Sequence, residues 1–293
     1  MSIAVFDVGG TFIKYCVMND GNMEYKGKIP TPHDNQNNFL VAIKSVLDQM
    51  ADIEGIAFSL PGVIDVDFKY VYAGGSLHYN NHTDIKEWEN YFQLPIQIEN
   101  DARCAALAEL TSGNMKDIEN GLVLTFGTGV GGGIILNGEL YKGSHLIGGE
   151  VSVIYSKDRK TLGTKALFGS IGSVYNLVEK IAKAKNSDSR DGREIFNWIS
   201  QEDEIASTIF EQYCYDIVTE FHNIQCLLDP QRICIGGGAS ENPIFIEGIK
   251  RAQNKFYEDF SFNFPKTEIK KCKYNNDANL LGAYYHYKEH SKI

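Results

Sequence analysis

Proline is scarce in this chain of 293 residues, 7 against 28 glycines, and tryptophan occurs twice. Collagen, coiled coil and disorder are excluded by an apolar share of 43% and a charged share of 23%, which are those of ordinary folded chains. Cysteine is present but unpatterned. Cys16, Cys104, Cys214, Cys226, Cys234 and Cys272 form no C-x-x-C pair and no ladder of short spacings, so they read as small buried hydrophobes in a reducing compartment. Positive charge is in short supply, 28 Lys and Arg against 38 Asp and Glu, a formal net charge of −10. No broad positive field is therefore available to attract a nucleic-acid backbone or an anionic membrane, and neither is expected as a partner. No run reaches 18 apolar residues, which excludes a spanning helix of the usual kind. The opening Met1-Ser2-Ile3-Ala4-Val5-Phe6-Asp7 lacks a basic region and places an acid where a signal peptide needs apolar residues, so a cytoplasmic location is expected.

The length suggests two domains at roughly 150 residues each. Residues 3–8, 13–18 and 23–28 are short apolar or alternating runs broken by Gly-Gly-Thr and by Asn19-Asp20-Gly21-Asn22, which predicts an antiparallel meander. Residues 37–51 carry apolar side chains at helical spacing, 55–60 reads as a buried strand ending at Pro61-Gly62, and 102–111 is an Ala-rich helix. After the polar stretch 112–120 a second meander begins, with strands at 121–126 and 133–137. Helices are predicted at about 173–185, 203–228, 243–257 and 278–289, and a strand at 232–236, while 186–193 reads as a polar loop. Two halves that each open with strand, Gly-Thr turn and strand suggest a duplicated α/β unit.

Five segments carry candidate chemistry. In Asp7-Val8-Gly9-Gly10-Thr11-Phe12-Ile13-Lys14, glycines without Cβ let backbone N–H groups approach an anion, and Thr11 and Lys14 add a hydroxyl and a charge. Asp7 at the strand end suits a hydrated Mg²⁺; an ordinary Gly-Gly hairpin with a capping Asp is the competing reading. Gly127-Thr128-Gly129-Val130-Gly131-Gly132-Gly133 contains G-x-G-x-x-G, but the β-branched residues after it argue for a strand-to-strand turn and against a dinucleotide fold. Glu99-Asn100-Asp101 feeds the Ala-rich helix, where Asp101 is either its cap or a general base. Gly236-Gly237-Gly238 lets a flat ligand lie against backbone, or is a turn into the next helix. Glu150, after Gly148-Gly149, is either a sugar-hydroxyl acceptor or a surface acid.

Taken in order, Asp7-x-Gly9-Gly10-Thr11-x-x-Lys14, Ser59-x-Pro61-Gly62, Asn100-Asp101, Gly127-Thr128-Gly129-x-Gly131, Gly149-Glu150 and Gly236-Gly237-Gly238 resemble the ROK family of sugar kinases and repressors, within the actin-like ATPase superfamily. The resemblance runs across almost the whole chain. It implies an α/β fold of two actin-like (ribonuclease H-like) domains, mixed sheets flanked by helices, with nucleotide and sugar in the cleft between them. The domains expected are 1–117, with the C-terminal helix 278–293 packing back on it, and 118–277. The two Gly-Thr turns look like the family's phosphate loops, which implies ATP contacts from Asp7, Gly9, Gly10, Thr11, Lys14, Gly127, Thr128, Gly129 and Gly131, with Gly237 and Gly238 on the adenosine. Asp101 is implied as the catalytic base, Asp7 as holding Mg²⁺ through water, and Asn100, Glu150 and Ser59 as sugar contacts. A homodimer is likewise implied. Family repressors carry a winged helix-turn-helix ahead of the kinase-like part; with Asp7 at the seventh residue and an acidic net charge, the repressor reading is not expected here.

Departures from the family pattern point to the acceptor. Many members continue Gly-Glu as Gly-Glu-x-Gly-His; here Val153 holds the His position. Aligned on Gly169 and Gly172, Ala166, Phe168 and Ser173 replace the three zinc cysteines, so no zinc site is expected. Tyr175 stands where a sugar-binding Glu faces the anomeric end, and Gly75 where many members place a sugar-binding Asn. A carboxylate there favours a free hydroxyl, whereas a tyrosine can stack on a second ring. The combination is similar to the β-glucoside kinases of the family, which phosphorylate the 6-hydroxyl of the non-reducing glucose of disaccharides such as cellobiose. The competing expectations are a free-hexose kinase (glucokinase, fructokinase or N-acetylmannosamine kinase-like) and a non-enzymatic sugar-sensing regulator. His33, His78, His82, His145 and His222 stand alone in polar settings and are assigned no catalytic role.

Overall fold

Asp20 and Gly21 stand in the left-handed region, at φ 48° and 87°, as a tight two-residue hairpin requires. In the computed structural model, which describes residues 2–258, 260 and 263–291, they join β2 (Phe12–Asn19) to β3 (Asn22–Pro30). β2 pairs antiparallel with β1 (Ser2–Val8), completing the predicted meander. α1 (Gln36–Leu47), capped by Asn35, buries Phe39, Ile43, Val46 and Leu47 and returns the chain to β4 (Ile53–Leu60), which lies parallel to β1. A small antiparallel sheet of β5 (Val63–Asp65), β6 (Tyr70–Ala73) and β7 (Thr83–Asp84) comes next. α2 (Ile85–Phe92), β8 (Ile96–Asn100), parallel to β4, and α3 (Asp101–Ser112) follow.

The same order then repeats. β9 (Gly121–Phe126), β10 (Val130–Leu136) and β11 (Glu139–Tyr141) form a second meander, with Asn137 and Gly138 at φ 55° and 76° as its turn. The short α4 (Arg159–Leu162) and α5 (Phe168–Ile171) lead to α6 (Val174–Ala184), α7 (Gly192–Ser200) and the long α8 (Glu204–Leu228). β12 (Arg232–Gly236), α9 (Pro243–Glu258) and β13 (Glu268–Lys271) complete that sheet, and α10 (Ala278–His290) ends the fold. The two five-stranded sheets read β3-β2-β1-β4-β8 and β11-β10-β9-β12-β13. Each is a meander followed by two parallel strands, the duplicated α/β unit expected from the sequence.

Two expectations are corrected. The polar loop expected at 186–193 gives way at Gly192 to α7, which Asp191 caps and whose buried Ile195, Phe196 and Ile199 lie on one face. β10 begins at Val130 rather than 133, because Val130 and Gly131 already pair with Phe126 and Thr125. The final two residues of the expected helix 278–293 lie outside the described residues.

Contacts sort the chain into two compact units, Met1–Thr111 with Lys142–Gly148 and Asp277–Ile293, and Ser112–Tyr141 with Gly149–Asn276. In the first, α10 packs Leu280, Ala283, Tyr284 and Tyr287 onto Ile3, Val5, Ala57 and Cys104. In the second, β9 and β12 contribute Leu122, Leu124, Ile233 and Ile235 to a core shared with α6 to α9.

α10 also buries His286, 2% exposed, its ring beside that of His290 at 4.0 Å between centroids. Burial, then the charges of His290 and Lys142, push its pKa down to about 2. Unfolded, the ring takes a proton near the reference value of about 6.5; folded, it stays neutral far below that. Stability therefore falls as pH drops below about 6.5, at about 1.4 kcal/mol per unit from this group. His286→Leu is expected to remove one proton's worth of that slope in urea unfolding between pH 7.5 and 5. An unchanged slope would show that the ring is protonated in the fold.

Candidate active site

The turn between β1 and β2 is built by small residues and held from β3. Gly9 N–H donates to the Phe12 carbonyl at 3.1 Å, Thr31 N–H to the Thr11 carbonyl at 3.0 Å, and the Thr31 hydroxyl to the Gly9 carbonyl at 2.7 Å. Gly10 and Thr11 stand exposed at its tip. A Cβ built on Gly10 lies 3.6 Å from Ser76 Oγ, so the residue after Gly75 comes beside the turn.

Asp7, at the end of β1, is 5% exposed and holds three donors. Ser59 Oγ and Asn279 Nδ2 donate to Oδ1 at 3.0 and 2.9 Å, and Lys14 Nζ to Oδ2 at 3.3 Å. Ser59 pairs with Asp7 across the parallel β4–β1 ladder, where partners project to the same face. It is fully buried, with its hydroxyl on Asp7. The residue expected to touch sugar is thus placed as a support for the aspartate. Lys14 is 41% exposed along its side chain and remains able to meet an anion.

The start of α3 settles which residue caps it. Asn100 Oδ1 accepts from Arg103 N–H at 3.1 Å, the N-cap geometry, while Asp101 is the first helical residue and accepts from Ala102 N–H at 2.8 Å. The cap that Asp101 was a candidate for is Asn100. Asn100 Nδ2 also donates to the Gly62 carbonyl at 3.0 Å. Gly62, at φ 103°, has no room for a Cβ, which would stand 1.9 Å from the Ala73 carbonyl. Gly75 lies against Pro61 at φ 59°, a left-handed backbone open to glycine and, among other residues, to asparagine. Asp7, Lys14, Asn100 and Gly75 are thereby connected through β1, β4, β8 and two interlocked turns.

In the second unit Gly127 N–H donates to the Gly129 carbonyl at 3.0 Å, and the Gly127 carbonyl accepts from Val174 N–H at 2.9 Å. The turn Gly127-Thr128-Gly129 therefore abuts the start of α6. β10 runs antiparallel to β9, with Gly131 opposite Thr125, so the G-x-G-x-x-G fragment belongs to no strand–helix dinucleotide motif. Its last glycine serves packing instead: a Cβ on Gly132 would stand 2.4 Å from the Gly149 carbonyl. Gly237, at φ 84°, presses on the end of β9, where a Cβ would lie 2.3 Å from the Phe126 carbonyl. Gly127 and Gly238 each have nothing within 4 Å of a built Cβ, so the backbone is open at both. Glu150, half-buried, opens the 3₁₀ turn Val151–Val153, whose Val153 is 55% exposed.

The segment aligned with a zinc loop is held by other means. Ala166 and Phe168 are fully buried, Phe168 stands edge-on to Phe126 with centroids 6.4 Å apart, and Tyr213 donates to the Gly172 carbonyl at 2.7 Å. Ser173 caps α6 by accepting from Asn176 N–H. Tyr175, 49% exposed in the first turn of α6, donates to Glu179 at 3.1 Å.

Three residues of this region escape sequence reasoning. Asn279 reaches Asp7 from α10, 272 residues away, and no local pattern announces it. Glu99 and Arg103 are 0% and 1% exposed, although their types predict surface positions. A legible signal was their i,i+4 spacing across the strand–helix junction.

Comparison with known proteins gives consistent matches. The family model described as ROK family matches residues 3–290. The chain is 32% identical to a beta-glucoside kinase of Listeria monocytogenes serovar 1/2a, over 98% of this chain and 97% of that one. It is 26% identical to an N-acetylmannosamine kinase of Haemophilus influenzae, over 99% and 96%. Among solved structures, a ROK family protein from Streptococcus pneumoniae TIGR4 in complex with sucrose superposes with a TM-score of 0.86 at 31% identity, over 100% of both chains.

Proposed function

Because the chain belongs to the ROK family and is a sugar kinase, we propose that it transfers the γ-phosphoryl group of ATP to the 6-hydroxyl of the non-reducing glucose of a β-glucoside such as cellobiose. Phosphoryl transfer leaves the protein little covalent chemistry; positioning and charge stabilisation do most of the work. In this reading Lys14 and the amides of Gly10 and Thr11 meet the phosphates, the Gly9 N–H being taken by the Phe12 carbonyl. Gly127, Thr128, Gly129, Gly131, Gly237 and Gly238 offer the nucleotide backbone with little side chain over it. Asp7, with Ser59 and Asn279 fixing one oxygen, has the hard carboxylate donor that a hydrated Mg²⁺ takes through water, and that ion supplies charge neutralisation when bound. Asp101 accepts the proton of the attacking hydroxyl as the O6–Pγ bond forms and the bond from Pγ to ADP breaks. Asn100 and Glu150 orient the sugar.

The observation that carries the glycoside reading is Tyr175, an exposed ring at the start of α6 where a carboxylate would select a free anomeric hydroxyl. Gly75, in place of a sugar-binding Asn, and Val153, in place of a His, support it, each smaller or less polar than the family residue. The sucrose held by the Streptococcus pneumoniae relative supports room for a second ring. The N-acetylmannosamine kinase relative keeps a free hexose as the second reading.

Coupled ADP release with Mg-ATP tests the two, comparing glucose, N-acetylmannosamine, cellobiose, gentiobiose and an aryl β-glucoside. The glycosides are expected to exceed the free sugars by about 10–200-fold in kcat/KM, the range that one pocket difference supplies. A preference for a free hexose would overturn the glycoside reading alone, and silence with every sugar would overturn the kinase reading.

A further inference from the structure

We propose that Glu99 and Arg103 form a buried positioning pair that clamps the segment 142–148 to the start of α3, and through it sets the sugar affinity of the site; this rests on the kinase reading above. The segment joins β11 to Gly149-Glu150 in sequence, yet its contacts place it in the first unit. It is closed on itself by Gly148 N–H donating to the Lys142 carbonyl at 2.9 Å, with Leu146 at φ 60°. Each end is held by one of the two side chains. Arg103 Nη2 donates to the Leu146 carbonyl at 2.6 Å and lies 3.5 Å from that of Gly148, while Glu99 Oε2 stands 3.2 Å from Lys142 Nζ. The other oxygen, Glu99 Oε1, accepts from the backbone N–H of Asn100 at 2.8 Å and lies 3.7 Å from Arg103 Nη1. One carboxylate and one guanidinium thus connect the cap of α3, which carries the implied sugar ligand Asn100, to the strand of chain that delivers Glu150.

Stability does not account for these charges. Arg103 Nε and Nη1 have no hydrogen-bond partner although the residue is 1% exposed, and unfilled buried donors are costly. Buried ion pairs are commonly replaced by apolar side chains with no loss of stability. What an apolar pair cannot do is hold two carbonyls and an ammonium group at fixed places. The planar fork of an arginine does so, and a lysine at 103 reaches one carbonyl only.

The test compares the full-length protein with Arg103→Met, Arg103→Lys and Lys142→Met. Arg103→Met is expected to raise KM for the sugar by about tenfold, the order of one lost charge-assisted hydrogen bond, with KM for ATP within twofold. Arg103→Lys and Lys142→Met are expected to raise it less. Hydrogen exchange gives a readout independent of activity: amides of 144–148 exchange faster in Arg103→Met while those of β4 do not change. Lowered thermal stability with sugar KM and loop exchange both unchanged would overturn the clamp. Wild-type protein that turns over no sugar would overturn the kinase reading instead, and the exchange measurement would still decide whether Arg103 holds the segment.

Discussion

Asp101→Asn is expected to lower turnover by about 10²–10⁴-fold, the usual worth of a positioned general base, with sugar affinity within a few-fold of wild type. The asparagine is nearly isosteric and its amide oxygen can still accept from Ala102 N–H, the bond that Asp101 Oδ1 makes at 2.8 Å. Because Asn100 is the cap of α3, the helix start does not depend on the aspartate. What the amide cannot do is take a proton from the attacking hydroxyl. A carboxylate of reference pKa near 3.9 is a weak base at neutral pH, but in a loose transition state the proton leaves late, when the oxygen is already bonding to phosphorus. Steady-state kinetics with calorimetric sugar binding check this together. Turnover within tenfold of wild type would remove Asp101 from the base role, and loss of sugar binding would make it a ligand instead.

Gly282→Ala is expected to destabilise the first unit by about 1–3 kcal/mol or more, the cost of overpacking a site that cannot yield. An added Cβ would stand 1.8 Å from the Cys104 carbonyl oxygen and 2.4 Å from its carbon, both backbone atoms of α3. No rotamer relieves that contact, so α10 must move away from α3, taking with it Leu280, Ala283, Tyr284 and Tyr287 from the core they share with β1 and β4. The same shift draws Asn279 from Asp7. At about 2–4 °C per kcal/mol for a chain of this order, thermal melting is expected to fall by roughly 2–12 °C. Gly192→Ala serves as control, since its Cβ meets only Val178 at 3.8 Å. A melting temperature equal to wild type in Gly282→Ala would mean that the helices are not in the contact described.

The elements most plainly written in the sequence are those with a strong local cause. Asp20-Gly21 and Asn137-Gly138 supply left-handed turns at two hairpins, and the apolar spacing of 39–47 makes one helix face. α7 was obscured because its cap, Asp191, sits inside a polar stretch, and only Ile195, Phe196 and Ile199 mark its buried side. α2 and β8 are short, and their buried residues are few enough that the core, rather than local propensity, holds them.

Of the candidate site, the sequence alone determined the residue types and their order along the chain: the Gly-Thr turns, Asn100-Asp101, Gly149-Glu150 and the exceptions at Gly75, Val153 and Tyr175. Those signals are local, since a turn that needs φ above zero or a backbone surface without Cβ is recorded where it occurs. Tertiary structure alone decided that Ser59 props Asp7, that Asn279 joins it from 272 residues on, that Asn100 and not Asp101 caps α3, and that Glu99 and Arg103 are buried against 142–148. Hydrogen-bond partners and burial depend on which strands lie side by side and which segments cross between units. Those pairings are set by the packing of whole sheets and helices, which no single segment of the chain encodes.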